Sequence, residues 1–317
     1  MSRIASNPEP SLTPELVREK PANRMSMEPP GSIRPVRDVF EAQLAMIREG
    51  ISAGSLDGAL GSQTRAALSA FQRKHKLVPT GLLDADTKAK MLVTLPLHTN
   101  YTITSNDLGR LLPLPHSWLE KSEQPRLDYE TILELVAEKA FSHPALVRRL
   151  NPDIHWDNLA AGAEVMLPQA EYPLPAAKAA WVDISLANKV LEAFDSSSNL
   201  LAHFPCSIGR LAEKRPVGEL HVAVVALHPN YTFNPEVFPE SDEARQLGRK
   251  LVLPPGPNNP VGVVWIGLDR PGYGIHGTPS PELVGRTESH GCFRLANWNA
   301  EYLAKLVVVG TLVVVEP

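Results

Sequence analysis

The spacing of apolar positions divides the 317-residue chain into parts with different secondary structure. Between residues 36 and 95, apolar side chains recur at near-helical intervals, as in Val39, Leu44 and Ile47, and glycine-containing turns separate the runs. This spacing gives each helix one apolar face that can pack against the others. The pattern predicts a module of three short helices over residues 36–95.

A different order of elements is predicted for residues 100–168. Tyr101–Ile103 alternates like a short strand, and Tyr129–Leu150 has the pattern of two helices separated by a break at Pro144. The unit closes with a second apolar segment, GAEVMLP. A strand–helix–helix–strand unit is therefore expected, followed by a linker over residues 169–179, whose EYPLPAAKAA stretch is rich in proline and alanine.

Residues 180–317 contain short alternating segments separated by residues that favour turns. The predicted strands are Trp181–Ser185, Val190–Phe194, Leu200–Phe204, Leu220–Leu227, Val261–Ile266 and Leu306–Val315. The valines on both sides of Gly310-Thr311 favour buried strand over helix. This part is predicted to be a mostly β sandwich or barrel, and the whole chain a multidomain α+β protein.

Composition narrows the classes of function. The chain has 31 basic and 35 acidic residues, a net charge of −4, so it has no electrostatic footprint for nucleic acid or an anionic membrane surface. No apolar run approaches the roughly 20 residues of a membrane helix. Residues 1–35 are proline-rich and lack the apolar region of a signal peptide, so a flexible leader is expected there.

The two cysteines are too few for a disulfide framework or a four-cysteine zinc site. Cys206 follows an apolar strand and is expected to be a buried, inert thiol. Cys292 lies in the segment ESHGCFRL with His290 and Arg294, and His276 precedes it in YGIHGT. A thiol becomes a nucleophile when a base or positive neighbours assist its deprotonation. A metal site is the alternative, but the segment lacks the spacing of four ligands.

The segment IHGTPSPELVGRTESHGCFRLANWNA resembles the active-site signature of the L,D-transpeptidases, and the resemblance covers roughly residues 181–315. It implies that Cys292 is the nucleophile and that His276 is its base. The resemblance also implies that the carbonyl of Gly277 orients His276 and that His290 supports the environment of the nucleophile.

The same resemblance implies further roles in the predicted site. The amides of Gly291 and Cys292 would form an oxyanion hole, and Arg294 would bind a carboxylate of the substrate. Ser289 and Gly277 would also line the substrate, and Asn297 would have a structural role in the loop after the nucleophile. No metal or organic cofactor is expected.

Two further resemblances concern the first half of the chain. The pattern SLDGALGSQTRAALSAFQRKHKL followed by TGLLDADTKAKM resembles the three-helix peptidoglycan-binding module of bacterial wall enzymes, which implies attachment to the wall. Segments YTIT, LNP and GAEVMLP are similar to the LysM fold, which binds N-acetylglucosamine chains. A proline-rich insertion over Leu112–Pro125 departs from the compact LysM pattern.

Together these resemblances imply a peptidoglycan L,D-transpeptidase, active in cell-wall biogenesis and cell shape, that forms 3→3 cross-links through a cysteine thioester. The implied partners are peptidoglycan stem peptides and glycan strands, with an outer-membrane lipoprotein as an alternative acceptor and carbapenems as inhibitors. The implied location is the periplasm or cell wall. An L,D-carboxypeptidase, a non-catalytic wall-binding protein, and a Cys206–Cys292 disulfide that blocks the nucleophile remain as alternatives.

Overall fold

In a computed structural model of the chain, residues 29–211, 213, 215–238, 241–287 and 291–317 are described. Most of the predicted leader, residues 1–28, lies outside these ranges. The elements form three successive units, each with its own buried apolar cluster, and a further cluster lies where the second unit meets the third.

The first unit contains helices α1 (Val39–Ile47), α2 (Ser62–Lys74) and α3 (Ala85–Lys90), with strands β1 (Ile33–Pro35) and β2 (Leu92–Thr94). The three predicted helices are present because their apolar faces meet around residues such as Leu68 and Phe71, which are fully buried. The sequence pattern did not indicate the antiparallel pairing of β1 with β2. Because Ile33–Pro35 belongs to this sheet, the flexible leader predicted for residues 1–35 ends before it.

The second unit contains strands β3 (His98–Thr102) and β4 (Glu164–Pro168), which pair in antiparallel register. Between them lie helices α4 (Ser105–Gly109), α5 (Trp118–Glu123), α6 (Ile132–Lys139) and α7 (Pro144–Leu150). The predicted order of strand, helix, helix and strand corresponds to β3, α6, α7 and β4. Helices α4 and α5 are additional, and α5 lies inside the proline-rich insertion.

The third unit is built on a sheet of eight strands in the order β13-β12-β11-β8-β14-β5-β6-β7. Its strands are β5 (Trp181–Ser185), β6 (Val190–Phe194), β7 (Leu200–Pro205), β8 (Gly218–Leu227), β11 (Val264–Leu268), β12 (Gly274–His276), β13 (Phe293–Arg294) and β14 (Leu312–Glu316). The β14–β5 and β12–β13 pairs are parallel, and the other neighbours are antiparallel. The expectation of a mostly β domain is confirmed.

Two helices of the third unit were not predicted: α8 (Asp242–Leu247) and α9 (Asn297–Leu306). The prediction of one continuous strand over Leu306–Val315 is wrong in its first half. Leu306 ends α9, and Val308 and Val309 are 47% and 67% exposed in a turn closed by Gly310 at φ +90°. Valine pattern alone does not separate a buried strand from an exposed turn, because β-branched residues also occupy extended loops.

The predicted strand Val261–Ile266 begins later than expected, at Val264. Gly262 has φ +61°, a left-handed conformation that interrupts extended pairing. Between β8 and β11 the chain forms a small antiparallel hairpin of β9 (Tyr231–Phe233) and β10 (Leu251–Leu253), which we call the flap.

The first and second units both contact the third. The amide of Ser52 donates to the carbonyl of His203 on β7 at 2.8 Å, and the amide of His203 donates to Gly50 at 3.1 Å. From the second unit, the amide of Leu127 donates to Pro255 at 3.0 Å, and its carbonyl accepts from Asn258 at 2.9 Å. The helical module is therefore joined to the β domain by backbone hydrogen bonds as well as by the chain.

Candidate active site

His276 ends strand β12 and is only 5% exposed. Its Nδ1 lies 2.6 Å from the carbonyl oxygen of Gly277. A carbonyl oxygen can only accept, so Nδ1 carries the proton and Nε2 is left with its lone pair in the neutral ring. Burial lowers the pKa of His276 to about 4, because the cationic form loses its hydration. The imidazole is therefore a neutral base at physiological pH.

The indole ring of Trp265 lies over the imidazole of His276, with centroids 5.6 Å apart and planes inclined by 24°. The two residues are direct partners in the antiparallel register of β11 and β12. Gly267 and Gly274 leave room for the indole, since a Cβ atom at either position would come within 2.8 Å of the ring. Trp265 was not predicted as a site residue, because no motif in a sequence marks a cross-strand partner.

Cys292 lies directly before β13, which runs parallel to β12 in the register Ile275 to Phe293 and His276 to Arg294. This register brings the cysteine to the same edge of the sheet as the histidine. The Sγ atom of Cys292 lies 3.5 Å from the carbonyl oxygen of Gly272. Burial raises the pKa of the Cys292 thiol above its ordinary value, and the charge of Arg294 opposes that rise.

Arg294 is held in β13 by a pair of backbone hydrogen bonds to Ser207, of 2.9 and 3.0 Å. Burial lowers its pKa from the ordinary arginine value, while the charges of Cys292 and of Tyr231 raise it. Burial and the neighbouring Cys292 raise the pKa of Tyr231, which lies on the flap. Tyr231 of the flap therefore lies close enough to Cys292 and Arg294 for their charges to affect its pKa.

The flap packs against the insertion of the second unit. The ring of Trp118 at the start of α5 stacks on Phe233 with centroids 4.5 Å apart, and it lies 6.3 Å from Tyr231. The Glu243 carboxylate of α8 accepts from the backbone amide of Trp118 at 2.5 Å, near the N-terminus of α5. The insertion that departs from the LysM pattern thus becomes a support for the wall of the candidate site.

The remaining predicted site residues are placed as follows. Gly277 lies beside His276 and provides the carbonyl described above. Gly291 precedes Cys292 and packs closely on Gly209, where an added Cβ would lie 3.1 Å from the Cα atom of Gly291. Ser289 and His290 lie outside the described residues.

Cys206 is separate from this group. It follows β7, is fully buried, and burial raises its pKa strongly. Both cysteines are free thiols in this structure. The expectation that Cys206 is buried is confirmed, and its inertness stays a prediction.

The loop that leads to Cys292 also contacts the helical module. The Nε2 atom of Gln63, near the start of α2, donates to the carbonyl of Val284 at 2.6 Å. The next residue, Gly285, donates its amide to the hydroxyl of Ser207 at 2.8 Å. The segment before Cys292 is therefore fixed from both the first and third units.

Two parts of the chain match known protein families. Residues 179–315 match the YkuD family, described as the L,D-transpeptidase catalytic domain, and residues 36–91 match a putative peptidoglycan binding domain. Residues 179–315 are an L,D-transpeptidase catalytic domain of the YkuD family. The L,D-transpeptidases are acyltransferases, so this class is assigned to the third unit. The N-terminal module matches the putative peptidoglycan binding domain.

The chain is also similar to individual proteins named as L,D-transpeptidases. The putative L,D-transpeptidase YkuD of Bacillus licheniformis is 26% identical over 190 residues, which cover 59% of this chain and 94% of that protein. The probable L,D-transpeptidase YbiS of Escherichia coli is 30% identical over 166 residues, covering 51% of this chain and 53% of that protein. Among solved structures, L,D-transpeptidase 3 of Mycobacterium tuberculosis is 16% identical with a TM-score of 0.35, over 50% of this chain and 77% of that one.

No helix in the part of the chain that the structure describes has the length and hydropathy needed to cross a membrane.

Proposed function

We propose that this L,D-transpeptidase acts on peptidoglycan stem peptides through a thioester on Cys292. The observation that carries the proposal is the hydrogen bond of 2.6 Å between Nδ1 of His276 and Gly277, because it leaves Nε2 free to accept a proton. The parallel pairing of β12 with β13 supports it, since it brings the thiol and the imidazole to one edge of the sheet.

The proposed reaction has two halves. In the first, Nε2 of His276 takes the proton of the Cys292 thiol while Sγ attacks the carbonyl carbon between the third and fourth stem residues. The tetrahedral intermediate collapses, the C–N bond breaks, and His276 returns the proton to the leaving amine. In the second, an amine of another stem attacks the thioester, an amide forms, and the thiol of Cys292 is restored.

In the resting site, the thiol of Cys292 and the imidazole of His276 are both neutral. The partly buried thiol has a raised pKa and the buried imidazole a lowered one, so a resting thiolate–imidazolium pair is disfavoured. Proton transfer then accompanies the attack of the thiol. The amides of Gly291 and Cys292 are the proposed donors to the oxyanion.

A cleft of about 380 Å³ adjoins this group and is the proposed binding site for part of the stem peptide. Its lining includes Thr278 and Arg294 of the L,D-transpeptidase domain together with Trp118 and Lys121 of the second unit. Two cationic side chains favour a ligand with carboxylates, and a guanidinium can bind one in bidentate fashion. Ser289 and His290 keep their proposed roles from the sequence.

The proposed location is the periplasm or cell wall, where the substrate lies, with the N-terminal module binding peptidoglycan.

LysM-like glycan binding by the second unit is a separate proposal, supported by its order of elements around β3 and β4. Retention of the full chain on insoluble N-acetylglucosamine polymer tests it, with the second unit's Asn151→Ala variant as a comparison. Asn151 joins α7 to β4 through Met166, at 2.8 and 2.9 Å.

Intact-protein mass spectrometry after incubation with a carbapenem tests the nucleophile. We expect one adduct on wild type, one on Cys206→Ala, and none on Cys292→Ala. No adduct on reduced wild type would remove the chemical basis of the proposal and favour a non-catalytic wall-binding protein.

The acceptor is tested with a purified disaccharide-tetrapeptide. Cross-linked dimers indicate transfer, tripeptides without dimers indicate an L,D-carboxypeptidase, and addition of a lysine-ended lipoprotein peptide tests anchoring. A thioester in a pocket that excludes water favours amines over hydrolysis, so dimers are expected.

A further inference from the structure

The side chain of Asn297, at the start of α9, ties the segment after His276 to the rest of the domain. Its Oδ1 accepts from the amide of Thr278 at 3.1 Å and from the amide of Val263 at 3.3 Å. Its Nδ2 donates to the carbonyl of Pro257 at 3.3 Å. Asn297 is 1% exposed, so water is largely excluded as an alternative hydrogen-bond partner for its side-chain amide.

The second donor hydrogen of Asn297 goes to another unit of the protein. Nδ2 donates to Oε1 of Glu138, on helix α6 of the second unit, at 3.0 Å. The hydroxyl of Tyr129 donates to the same oxygen at 3.3 Å. Glu138 thus reaches from the second unit to the residue that holds the backbone beside the proposed catalytic base.

An acceptor at this position also determines which way the amide of Asn297 faces. An amide that turned by 180° would point its NH₂ group at the amides of Thr278 and Val263, which are donors themselves. Glu138 and the carbonyl of Pro257 accept hydrogen bonds from Nδ2 of Asn297. They therefore favour the orientation in which Oδ1 accepts from the amide of Thr278. Space is tight here as well, since an added Cβ on Gly277 would overlap Oδ1 of Asn297.

We propose that Glu138 is a positioning residue for the catalytic base. It holds the amide of Asn297, which holds the backbone at Thr278, and this backbone carries the Gly277 carbonyl that orients His276. The proposal rests on the proposed function, because it assigns His276 the role of base. It gives the second unit a part in catalysis besides contact with the wall.

The surroundings of Glu138 give the proposal a signature in pH. Burial and the charges of Glu134, on the same helix, and Glu301, on α9, raise the pKa of Glu138 to about 8. The cavity of about 510 Å³ in which Glu138 lies is also lined by other charged or titratable side chains: Arg110, Arg126, Asp128, Tyr129, Lys139 and His228. The carboxyl is mainly neutral at pH 7 and becomes ionised at mildly alkaline pH.

The test is the rate of Cys292 acylation by a carbapenem at saturating inhibitor, in the full chain. We expect Glu138→Ala to slow acylation about tenfold to a hundredfold, as misplacement of a catalytic group does. The concentration for half-maximal rate should stay within about twofold, because Glu138 does not line the cleft proposed for the ligand. Glu138→Gln should restore most of the rate, because its amide oxygen can still accept from Asn297.

Glu134→Ala is the matched control for loss of contact between the units. Glu134 lies one turn earlier on α6 and accepts from Nδ2 of Asn258 in the third unit at 2.7 Å, without touching Asn297. We expect this variant to acylate at close to the rate of wild type. If it slows acylation as much as Glu138→Ala does, loosening of the interface explains the effect and the proposal fails.

A second variant keeps the test decisive if Glu138→Ala unfolds. Glu138→Asp retains the carboxyl group but withdraws its oxygen by one methylene group, so it should slow acylation while Glu138→Gln does not. Equal rates in Glu138→Asp, Glu138→Gln and wild type would overturn the proposal.

The pH dependence of the acylation rate is a further readout. For wild type the plot of rate against pH should change slope near pH 8, and for Glu138→Gln it should not. Absence of any adduct on wild type would instead count against the proposed function.

Discussion

The indole of Trp265 covers the imidazole of His276, ring centroid to ring centroid, at 5.6 Å. This contact helps to explain how a histidine at the end of a short strand remains out of water. Burial is the largest cause of its lowered pKa, about 4 against an ordinary value near 6.5. The base should therefore keep its lone pair well into the acidic range.

The acid limb of the acylation rate should consequently lie near pH 4 to 5 in wild type. Trp265→Ala should move it upward toward pH 6.5, because a hydrated imidazole binds a proton more readily. Stopped-flow acylation between pH 4 and pH 9 measures the limb. Trp181→Ala is the control, because Trp181 also stacks on an aromatic ring, Phe194, but on strand β5. An unchanged limb in Trp265→Ala would contradict this account.

The same burial affects stability. Because the folded His276 binds a proton less readily than the unfolded one, the unfolded state binds more protons between about pH 4 and pH 6.5. This residue's contribution to the free energy of unfolding therefore grows as the pH rises through that window and is lost as the pH falls. His276→Gln should have a smaller loss of melting temperature between pH 6.5 and pH 4 than wild type.

The raised pKa of Cys292 makes a prediction about simple alkylation. At pH 7 iodoacetamide should modify Cys292 more slowly than a free cysteine, with a rate that rises beyond pH 9, because the thiolate is the reactive form. Arg294→Ala should slow the reaction at pH 8 by about threefold to tenfold, since a cation that favours the thiolate is lost.

The control for this experiment is Arg270→Ala. Arg270 is a cation that lies over the ring of Tyr273, 4.7 Å from its centroid, so Arg270→Ala removes a positive charge while Arg294 remains. Peptide mapping separates Cys292 from the buried Cys206. Faster alkylation in Arg294→Ala would show that the arginine does not favour the thiolate.

Gly50 is the position where the helical module contacts the β domain without room for a side chain. It has φ +85°, and a Cβ atom would overlap the carbonyl oxygen of Leu201 on β7. Gly50→Ala should lower the free energy of unfolding by more than the cost of a positive φ alone, which is about 1 to 2 kcal/mol. The melting temperature should fall accordingly. Gly58→Ala isolates that effect, because Gly58 has φ +75° and nothing closer than 3.6 Å. Equal melting temperatures for the two variants would show that the module is not held at Leu201.

The flap offers a prediction on local stability. Trp118→Ala removes the ring that stacks on Phe233, and about 1 to 3 kcal/mol of local stability should be lost with this partly exposed aromatic group. Hydrogen exchange in β9 and β10 should become faster, and carbapenem acylation slower. Trp118→Phe should retain most of both properties. Unchanged exchange in the alanine variant would mean that the flap is held by other contacts.

Much of the sheet could be predicted because alternation is a local property. Trp181–Ser185 and Val190–Phe194 bury alternate residues along their whole length, and β8 does so at Leu220 and Val222. Each segment shows this without reference to a partner. The turn at Val308 and Val309 was missed because exposed and buried valines look alike in sequence. Helix α9 was missed for a related reason: its buried Asn297 and Asn299 are polar, and they weaken the apolar pattern.

The chemistry of the site was predictable only where it follows a local motif. Cys292 and His276 are marked by their glycines and neighbours in the sequence. Trp265, Tyr231 and Glu138 reach the site through strand register, hairpin packing and contact between units. Such relations depend on which elements meet in space, and a single sequence gives no signal for them.

The hydrogen bonds that join Gly50 and Ser52 to His203, and Gln63 to Val284, have a consequence for where on the wall the enzyme works. A module on a long flexible tether would let the thiol sample many strands around one anchoring point. Here the helical module, which we propose binds peptidoglycan, and Cys292 keep a defined separation and direction. The stem that reacts would then be selected by its distance along the glycan from the bound sugar, so the protein itself would act as a spacer that sets the interval between new cross-links.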